Sequence, residues 1–297
     1  MKRMRCHYCQ GEGTIFVENI GEWVCEKHFE RYFLKRVDRV LRRVRRGSSI
    51  LFGISGGKDS VAALHASSLI AHKYELKIGA AIVYTGLAPE CLEVFRSLVD
   101  ELNIEGIVID VRDWGIIVPP DPLAACIVCG VVTRYLLNRY AVENGYDYVA
   151  TGHNLDDMAY FAFNNLITHS LNYLYHQFDS VTQPLPDYKM AGKVKPLFWV
   201  SDNDALNYVK LKGLKSCITK CPHEGRDKQA ILKPMLADVR KRWPPSLVNF
   251  VSSIRELAKR SSPGERRINL CEKCGYPTSG KVCAFCRLRE KLKEVID

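Results

Sequence analysis

A chain of 297 residues with 47% apolar residues is long enough for one large domain plus small modules, and it can bury a sizeable core. Its net charge of +10 favours a polyanionic partner. No apolar run approaches the ~20 residues that span a bilayer, and Met1 to Cys6 runs into charge rather than a signal segment, so a cytosolic protein is expected.

Of twelve cysteines, eleven fall into close pairs or motifs, which in the cytosol points to metal or chemistry rather than disulfides. Cys91 stands alone and reads as a small buried hydrophobe. The chain begins with Cys6-x-x-Cys9 and, after fifteen residues, Cys25-x-x-His28. Four such ligands suit tetrahedral Zn²⁺, and residues 1–29 read as a zinc finger whose short hairpin, near 13–18 and 21–24, has little core of its own. Residues 29–47 read as a basic amphipathic helix with Phe33, Val37, Val40, Leu41 and Val44 on its apolar stripe. Residues 30–47 link the finger to the central domain. Eight basic residues lie between Arg31 and Arg46, a face suited to nucleic acid or simply to water.

From 48 to about 180, strands (50–54, 77–84, 106–111, 146–151) alternate with helices (59–73, 89–102, 123–144, 155–177). This rhythm predicts an α/β fold, a parallel sheet flanked by helices. After the first strand comes Gly53-Ile54-Ser55-Gly56-Gly57-Lys58-Asp59-Ser60. A glycine-rich turn running into a helix N-terminus is an anion site, and this one reads as a pyrophosphate cradle. Ser55 and Ser60 offer hydroxyls, Lys58 a cation, and Asp59 a ligand for Mg²⁺. The spacing is not that of the Walker loop. The fourth strand ends in Thr151-Gly152-His153-Asn154-Leu155-Asp156-Asp157. Gly152 would let a ligand approach, while Asp156 and Asp157 either cap the next helix or act at the site. His153 is a structural hydrogen-bonding group or a base.

Cys126-Ile-Val-Cys129-Gly130 opens the third of these crossover helices, ahead of Arg134. Such a pair can hold half a metal site, form a redox disulfide or supply a nucleophile. Cys217 and Cys221-Pro222 lie far along the chain, and convergence of three or four cysteines on one sheet edge suggests a metal cluster. Residues 195–200 read as a strand, 202–212 as a helix, and 245–260 as a helix preceded by Arg240 to Trp243. After the linker 261–265, Cys271-x-x-Cys274 and Cys283-x-x-Cys286 enclose eight turn-rich residues, a zinc-ribbon pattern, with a tail helix over 287–295.

Ser55 to Ser60 is identified as the signature of the PP-loop ATP pyrophosphatases. Together with zinc pairs at both ends, Cys126-x-x-Cys129-Gly130, Thr151 to Asp157 and Cys221-Pro222, the chain resembles the TtuA-type tRNA 2-thiouridine synthetases. The resemblance spans essentially the whole chain. It implies a Rossmann-like nucleotide hydrolase over 48–260 and a ribbon over 266–297. It also implies ATP-dependent adenylation of a tRNA uridine C2 oxygen, followed by sulfur transfer. By that pattern Gly53 to Ser60, Gly152 and Asp157 line the ATP site, and Asp59 and Asp157 act in catalysis. Cys126, Cys129 and Cys221 would hold a 4Fe-4S cluster with one iron open. Members carry a lysine four residues after the second cysteine. Here Thr133 stands there and cannot supply that cation, so either Arg134 or another residue takes over, or the role differs. Cys217 is expected to stay off the cluster. The resemblance further implies a homodimer and a thiocarboxylated ubiquitin-like sulfur carrier. Four glutamines in the chain hint at a thermophile and so at the T-loop uridine, position 54, over the wobble uridine. A zinc-finger RNA-binding protein without activity is the contrasting expectation.

Overall fold

In the computed structural model, residues 4–119, 121–171, 173–174, 178–217, 228–260 and 268–293 are described. The chain opens with the expected hairpin, β1 (Ile15–Val17) against β2 (Glu22–Val24), and runs directly into helix α1 (Glu26–Leu41). The helix starts earlier than the sequence suggests because Cys25 is its N-cap residue, and it ends at Leu41. Its stripe holds: Phe33, Val37, Val40, Leu41 and Val44 are all buried. Each large apolar side chain so placed contributes about 1.5–3 kcal/mol relative to exposure. Phe33 stacks on Tyr208 with ring centroids 3.9 Å apart.

Four parallel strands then follow as predicted: β3 (Ser49–Gly53), β4 (Lys77–Tyr84), β5 (Glu105–Asp110) and β6 (Tyr148–Thr151). The crossovers between them are α2 (Lys58–Ala71), α3 (Pro89–Leu102) and α4 (Pro122–Glu143). Helix α5 (Leu155–Ile167) follows β6 and stops ten residues before the expected end, where Thr168 donates its hydroxyl to the Asn164 carbonyl. Two short strands, β7 (Val181–Thr182) and β8 (Gly192–Val194), complete a sheet of order β5-β4-β3-β6-β8-β7, with β7 antiparallel.

The expected strand over 195–200 is instead a turn. Phe198 and Val200 donate backbone N–H groups to the carbonyls of Lys195 and Leu197, and the apolar run is buried as a loop between β8 and the next helix. Helices α6 (Asp202–Leu211), α7 (Gln229–Arg242) and α8 (Ser246–Arg260) follow. Helix α7 was not expected. The C-terminal module pairs β9 (Asn269–Leu270) with β10 (Pro277–Thr278) and ends in α9 (Ala284–Lys293). It is packed onto α4, with Phe285 stacked flat on Tyr135 at 3.8 Å.

Strand order places the site. The chain steps outward from β3 to β4 and β5, then returns to add β6 on the other side of β3. Ligands in open α/β sheets bind at such a reversal, beyond the carboxyl ends of the strands. The register sets Gly53 opposite Thr151, so the two glycine-bearing loops leave the sheet side by side.

Candidate active site

The first loop is braced from within. Ser60 Oγ donates to the Gly57 carbonyl at 2.8 Å and accepts from the Ser55 N–H at 3.2 Å, while the Ser55 hydroxyl lies 3.2 Å from Ser60 Oγ. Both hydroxyls, expected as ligand donors, are thus spent on holding the turn. Gly56 has a φ of +82°, and a Cβ there would lie 2.8 Å from Cys91 Cβ. Gly53 faces Leu137 and Ile54 is buried, so both pack rather than point at open space. At Gly57, the N-cap of α2, a Cβ would meet only Ser55 Oγ at 3.5 Å, and the Gly57 N–H donates to that same hydroxyl at a long 3.4 Å at the helix N-terminus.

Gly152 has a reason within the fold beside the one its sequence suggests. A Cβ at this position would sit 2.7 Å from Ser60 N and 2.9 Å from the Asp59 carbonyl carbon, so the close approach is made by α2's own backbone. Backbone on that side has little room to retreat. Gly152→Ala is therefore expected to cost roughly 2–3 kcal/mol of stability in denaturant unfolding, and an unchanged midpoint would show that α2 can shift.

Lys58 and Asp59 form the charged centre. Lys58 Nζ lies 2.9 Å from both Asp59 oxygens and 2.6 Å from Asp202 Oδ1. Burial works against its charge, but the two carboxylates outweigh burial and raise its pKa. Burial raises the pKa of Asp59, with Lys58 opposing. Asn154 Nδ2 donates to Asp59 at 3.1 Å and to Asp202 at 3.3 Å, tying β6's loop to both.

The Asp-Asp pair caps α5 and also does more. Asn154 and Asp157 form a reciprocal capping box. Asp157 Oδ1 additionally accepts from Lys233 Nζ at 2.6 Å, and Asp156 accepts from Arg240 at 2.7 Å and from the Asp202 N–H at 2.8 Å. Lys233 and Arg240, two turns apart on α7, thus clamp neighbouring carboxylates from one helix face. Sequence reasoning missed Lys233, Arg240, Asn154 and Asp202. Asn154 lies within the Thr151 to Asp157 stretch and Asp202 at the start of the expected 202–212 helix, but the only sequence signal for the two cations is their seven-residue spacing, which means little without knowing that α7 exists.

Cys126 and Cys129 lie one turn apart near the start of α4, at the same sheet edge as the loops. Arg134 folds back along the helix. Its guanidinium would lie 3.2 Å from a Cβ on Gly130, so Gly130 makes room for it, and burial lowers its pKa. His153 is half-buried, with Thr151 Oγ1 2.7 Å from its Nδ1. Burial lowers its pKa and Asp157 opposes, while Lys195, Arg134 and Lys233 push the same way as burial. The imidazole is therefore held neutral, in the structural role favoured by its sequence context. Burial also brings Lys195 down to about 7.

Cys221 lies outside the described residues. Cys217 does not: its sulfur is bonded to Cys91, and its N–H donates to the Gly56 carbonyl at 2.8 Å. Cys91 is buried as expected, but as a disulfide partner rather than a plain hydrophobe. The two described flanks of the segment carrying Cys221 thus rest on the loops, through Cys217 on Gly56 and Lys233 on Asp157.

At the two ends of the chain, Cys6, Cys9, Cys25 and His28, and Cys271, Cys274, Cys283 and Cys286, each bring four ligand atoms within 4.8 Å of one another. Cys9 and Cys25 sulfurs are 4.0 Å apart and those of Cys274 and Cys283 are 3.7 Å apart. A tetrahedral thiolate site with metal–sulfur bonds of about 2.3 Å needs sulfurs about 3.8 Å apart. Backbone N–H groups of Tyr8, Cys283 and Cys286 donate to Cys6, Cys271 and Cys283 sulfurs, as thiolate ligands require. Both sets fit a four-coordinate metal. Among the described residues no helix is long and apolar enough to cross a membrane.

No protein-family model matches the chain. It is 33% identical to the tRNA-5-methyluridine(54) 2-sulfurtransferase of Thermus thermophilus, over 96% of this chain and 91% of that protein. It is 30% identical to the tRNA 2-thiolation protein NcsA of Haloferax volcanii, over 98% of this chain and 100% of that protein. Its fold is that of the U34-tRNA thiolase NcsA from Methanococcus maripaludis, solved with its [4Fe-4S] cluster. That structure superposes with a TM-score of 0.82 at 24% identity, covering 98% of this chain and 97% of that one.

Proposed function

This chain belongs to the family of tRNA 2-sulfurtransferases, and we propose that it thiolates a tRNA uridine at C2, at position 54, at the expense of ATP. The observation that carries the reading is the meeting of two loops at the sheet reversal, where Lys58, Asp59, Asp157 and Lys233 converge. We assign Gly53 to Ser60 and Gly152 to the nucleotide site, with Gly57 N–H and the α2 N-terminus facing phosphate oxygens. Lys58 would turn from Asp59 to the phosphates while keeping Asp202, which frees Asp59 for Mg²⁺. Asp157 and Lys233 stand at the uridine side. Lys233, with Arg134, supplies the cations that Thr133 cannot.

Cys126, Cys129 and Cys221 are the residues that would hold a 4Fe-4S cluster. Bound there, such a cluster would supply the metal chemistry for delivering sulfur to the activated C2, with AMP as the leaving group. Cys217 is not available for it while bonded to Cys91. The two terminal ligand sets would hold Zn²⁺.

A tRNA partner fits the sorting of cations along α1 and the segment just after it. Arg43 and Arg46 pair with Asp179 and Glu75, and Arg45 pairs with Asp147. Among the described residues no carboxylate pairs with Lys27, Arg31 or Lys35, which line a groove of about 510 Å³ between α1 and α2. Phosphate contacts need such cations and little sequence information. A thiocarboxylated ubiquitin-like sulfur donor, a homodimer and a cytoplasmic setting belong to the proposal on the family resemblance.

Anaerobic purification tests it. The protein should be brown, contain iron and sulfide, and thiolate tRNA when given ATP and a sulfur source, with mass spectrometry placing the sulfur at position 54. Cys126→Ala should lose both cluster and activity. A colourless, fully active protein would overturn the reading, and sulfur at position 34 would move it to the wobble uridine.

A further inference from the structure

The N-terminal finger is wired into the nucleotide loop. Glu18 lies in the turn between β1 and β2, and Gly21 of the same turn packs on Pro244, just past α7. A Cβ at Gly21 would sit 2.8 Å from that proline ring. Glu18 Oε2 is 2.6 Å from the Arg240 guanidinium, whose side chain is only 5% exposed. Arg240 uses another nitrogen to hold Asp156 at 2.7 Å, so one buried cation bridges two carboxylates from different parts of the chain. Asp156 in turn accepts the backbone N–H of Asp202 at 2.8 Å, which fixes the first residue of α6. Asp202 then holds Lys58 Nζ at 2.6 Å. Every step is a charged or charge-assisted contact: Glu18–Arg240 is a close ion pair, and the later steps are hydrogen bonds, which are short and directional.

We infer that Glu18 and Arg240 are positioning residues for the nucleotide reaction, setting where Lys58 presents its ammonium through the relay Glu18–Arg240–Asp156–Asp202. The finger is then part of the ATP site's geometry as well as a surface for RNA. The inference rests on the proposed ATP chemistry, because it needs Lys58 to face phosphate. The physical argument is one of constraint. Arg240 without Glu18 is a buried cation with one partner, free to pull Asp156 and the α6 N-terminus toward itself. Buried pairs respond strongly to loss of one member. Lys58 follows because Asp202 is its only carboxylate partner beyond its own neighbour Asp59 among the described residues.

The test is a cycle of Glu18→Gln and Asp202→Asn in the full-length protein. Four readouts are taken: ATP affinity, the KM for ATP with the kcat of pyrophosphate release, the KM for tRNA, and thermal midpoint. Glu18→Gln keeps the side-chain shape and removes the charge. It is expected to raise the KM for ATP about fivefold while the KM for tRNA stays unchanged, a coupling within the usual range for groups in one network. The double variant should be little worse than Asp202→Asn alone, since both cut the same relay, and Glu18→Asp should recover part of the loss. A purely structural role would lower the thermal midpoint and leave the KM for ATP where it was, and that outcome overturns the relay. So do effects that simply multiply in the double variant. If the wild-type chain binds no ATP, the functional reading itself falls, a result distinct from a wild type and Glu18→Gln that bind ATP equally well.

Discussion

Asp59→Ala is expected to lower tRNA-dependent pyrophosphate release on the order of 10²–10³-fold while changing stability by less than about 1 kcal/mol. The two expectations come from the same geometry. Asp59 is held in a crowded, half-covered position between Lys58 and Asn154, and burial raises its pKa. A carboxylate with a raised pKa is one the fold would rather keep protonated, so removing it relieves a cost instead of creating one. Sign follows directly. The native state holds the proton to higher pH than the unfolded chain does, so ionised Asp59 lowers stability at neutral pH. A group retained at such a position has a use other than stability, and its neighbours say which. Asp59 and Asp202 share the one ammonium of Lys58, so Asp59 has negative charge to spare for a metal ion carrying the phosphate chain. Asp59→Asn is the sharper variant. It preserves shape and the Asn154 contact, so equal losses in both variants would place the effect on the charge. Near-wild-type release in either would remove Asp59 from the machinery.

What the sequence made legible was local. The strand–loop–helix around Ser55 to Ser60, the α/β rhythm, the stripe of α1 and the four-ligand clusters all depend on residues within about twenty positions of one another. Their patterns survive folding because strand and helix periods act at that range. The contacts that organise the site span much more. Asn154 reaches Asp59 across 95 residues, Lys233 reaches Asp157 across 76, and Cys217 reaches Cys91 across 126. No spacing rule covers those. Two local readings also failed for physical reasons. The apolar run at 195–200 is buried as a turn, and apolar content alone cannot separate a buried turn from a buried strand. Helix α7 carries Pro234 inside it and exposes Ile231 at 73%, Met235 at 41% and Val239 at 43%. Three of its apolar residues therefore face outward while Lys233 and Arg240 face inward beside Leu236, which blurs the pattern that announces a helix. That inversion is what hid Lys233 and Arg240. The cost of placing Arg240 inside is offset by Glu18 and Asp156, so the misread segment and the finger-to-loop relay have one origin.

Asp204 carries the second large effect, and it falls on stability. Its side chain is fully buried in the first turn of α6, and neither carboxylate oxygen has a hydrogen-bond partner among the described residues. Burial pushes its pKa up to about 7, with Ser201 opposing and the charge of Glu18 adding to the rise. Tyr32, buried nearby, is pushed above its usual range by burial and by Asp204's charge, the same repulsion seen from the other side. In the unfolded chain the carboxyl ionises at its ordinary value of 3.8. Between that value and about 7 the native state holds a proton that the unfolded state has released. Stability therefore falls as pH rises through this window and levels off above it. Three pH units of displacement correspond to about 4 kcal/mol at most. Asp204→Asn should abolish that slope, matching the wild type near pH 4 and exceeding it by up to about 4 kcal/mol at pH 8. Urea unfolding at intervals from pH 4 to pH 8 reads the difference directly. Parallel stability curves for the two proteins would mean that Asp204 is ionised in the native state throughout, held by a partner such as Arg240. The variant also separates stability from the relay. Asp204 touches neither Lys58 nor Asp59, so stabilisation at pH 8 should leave the KM for ATP unchanged, whereas loss of Glu18 should move it.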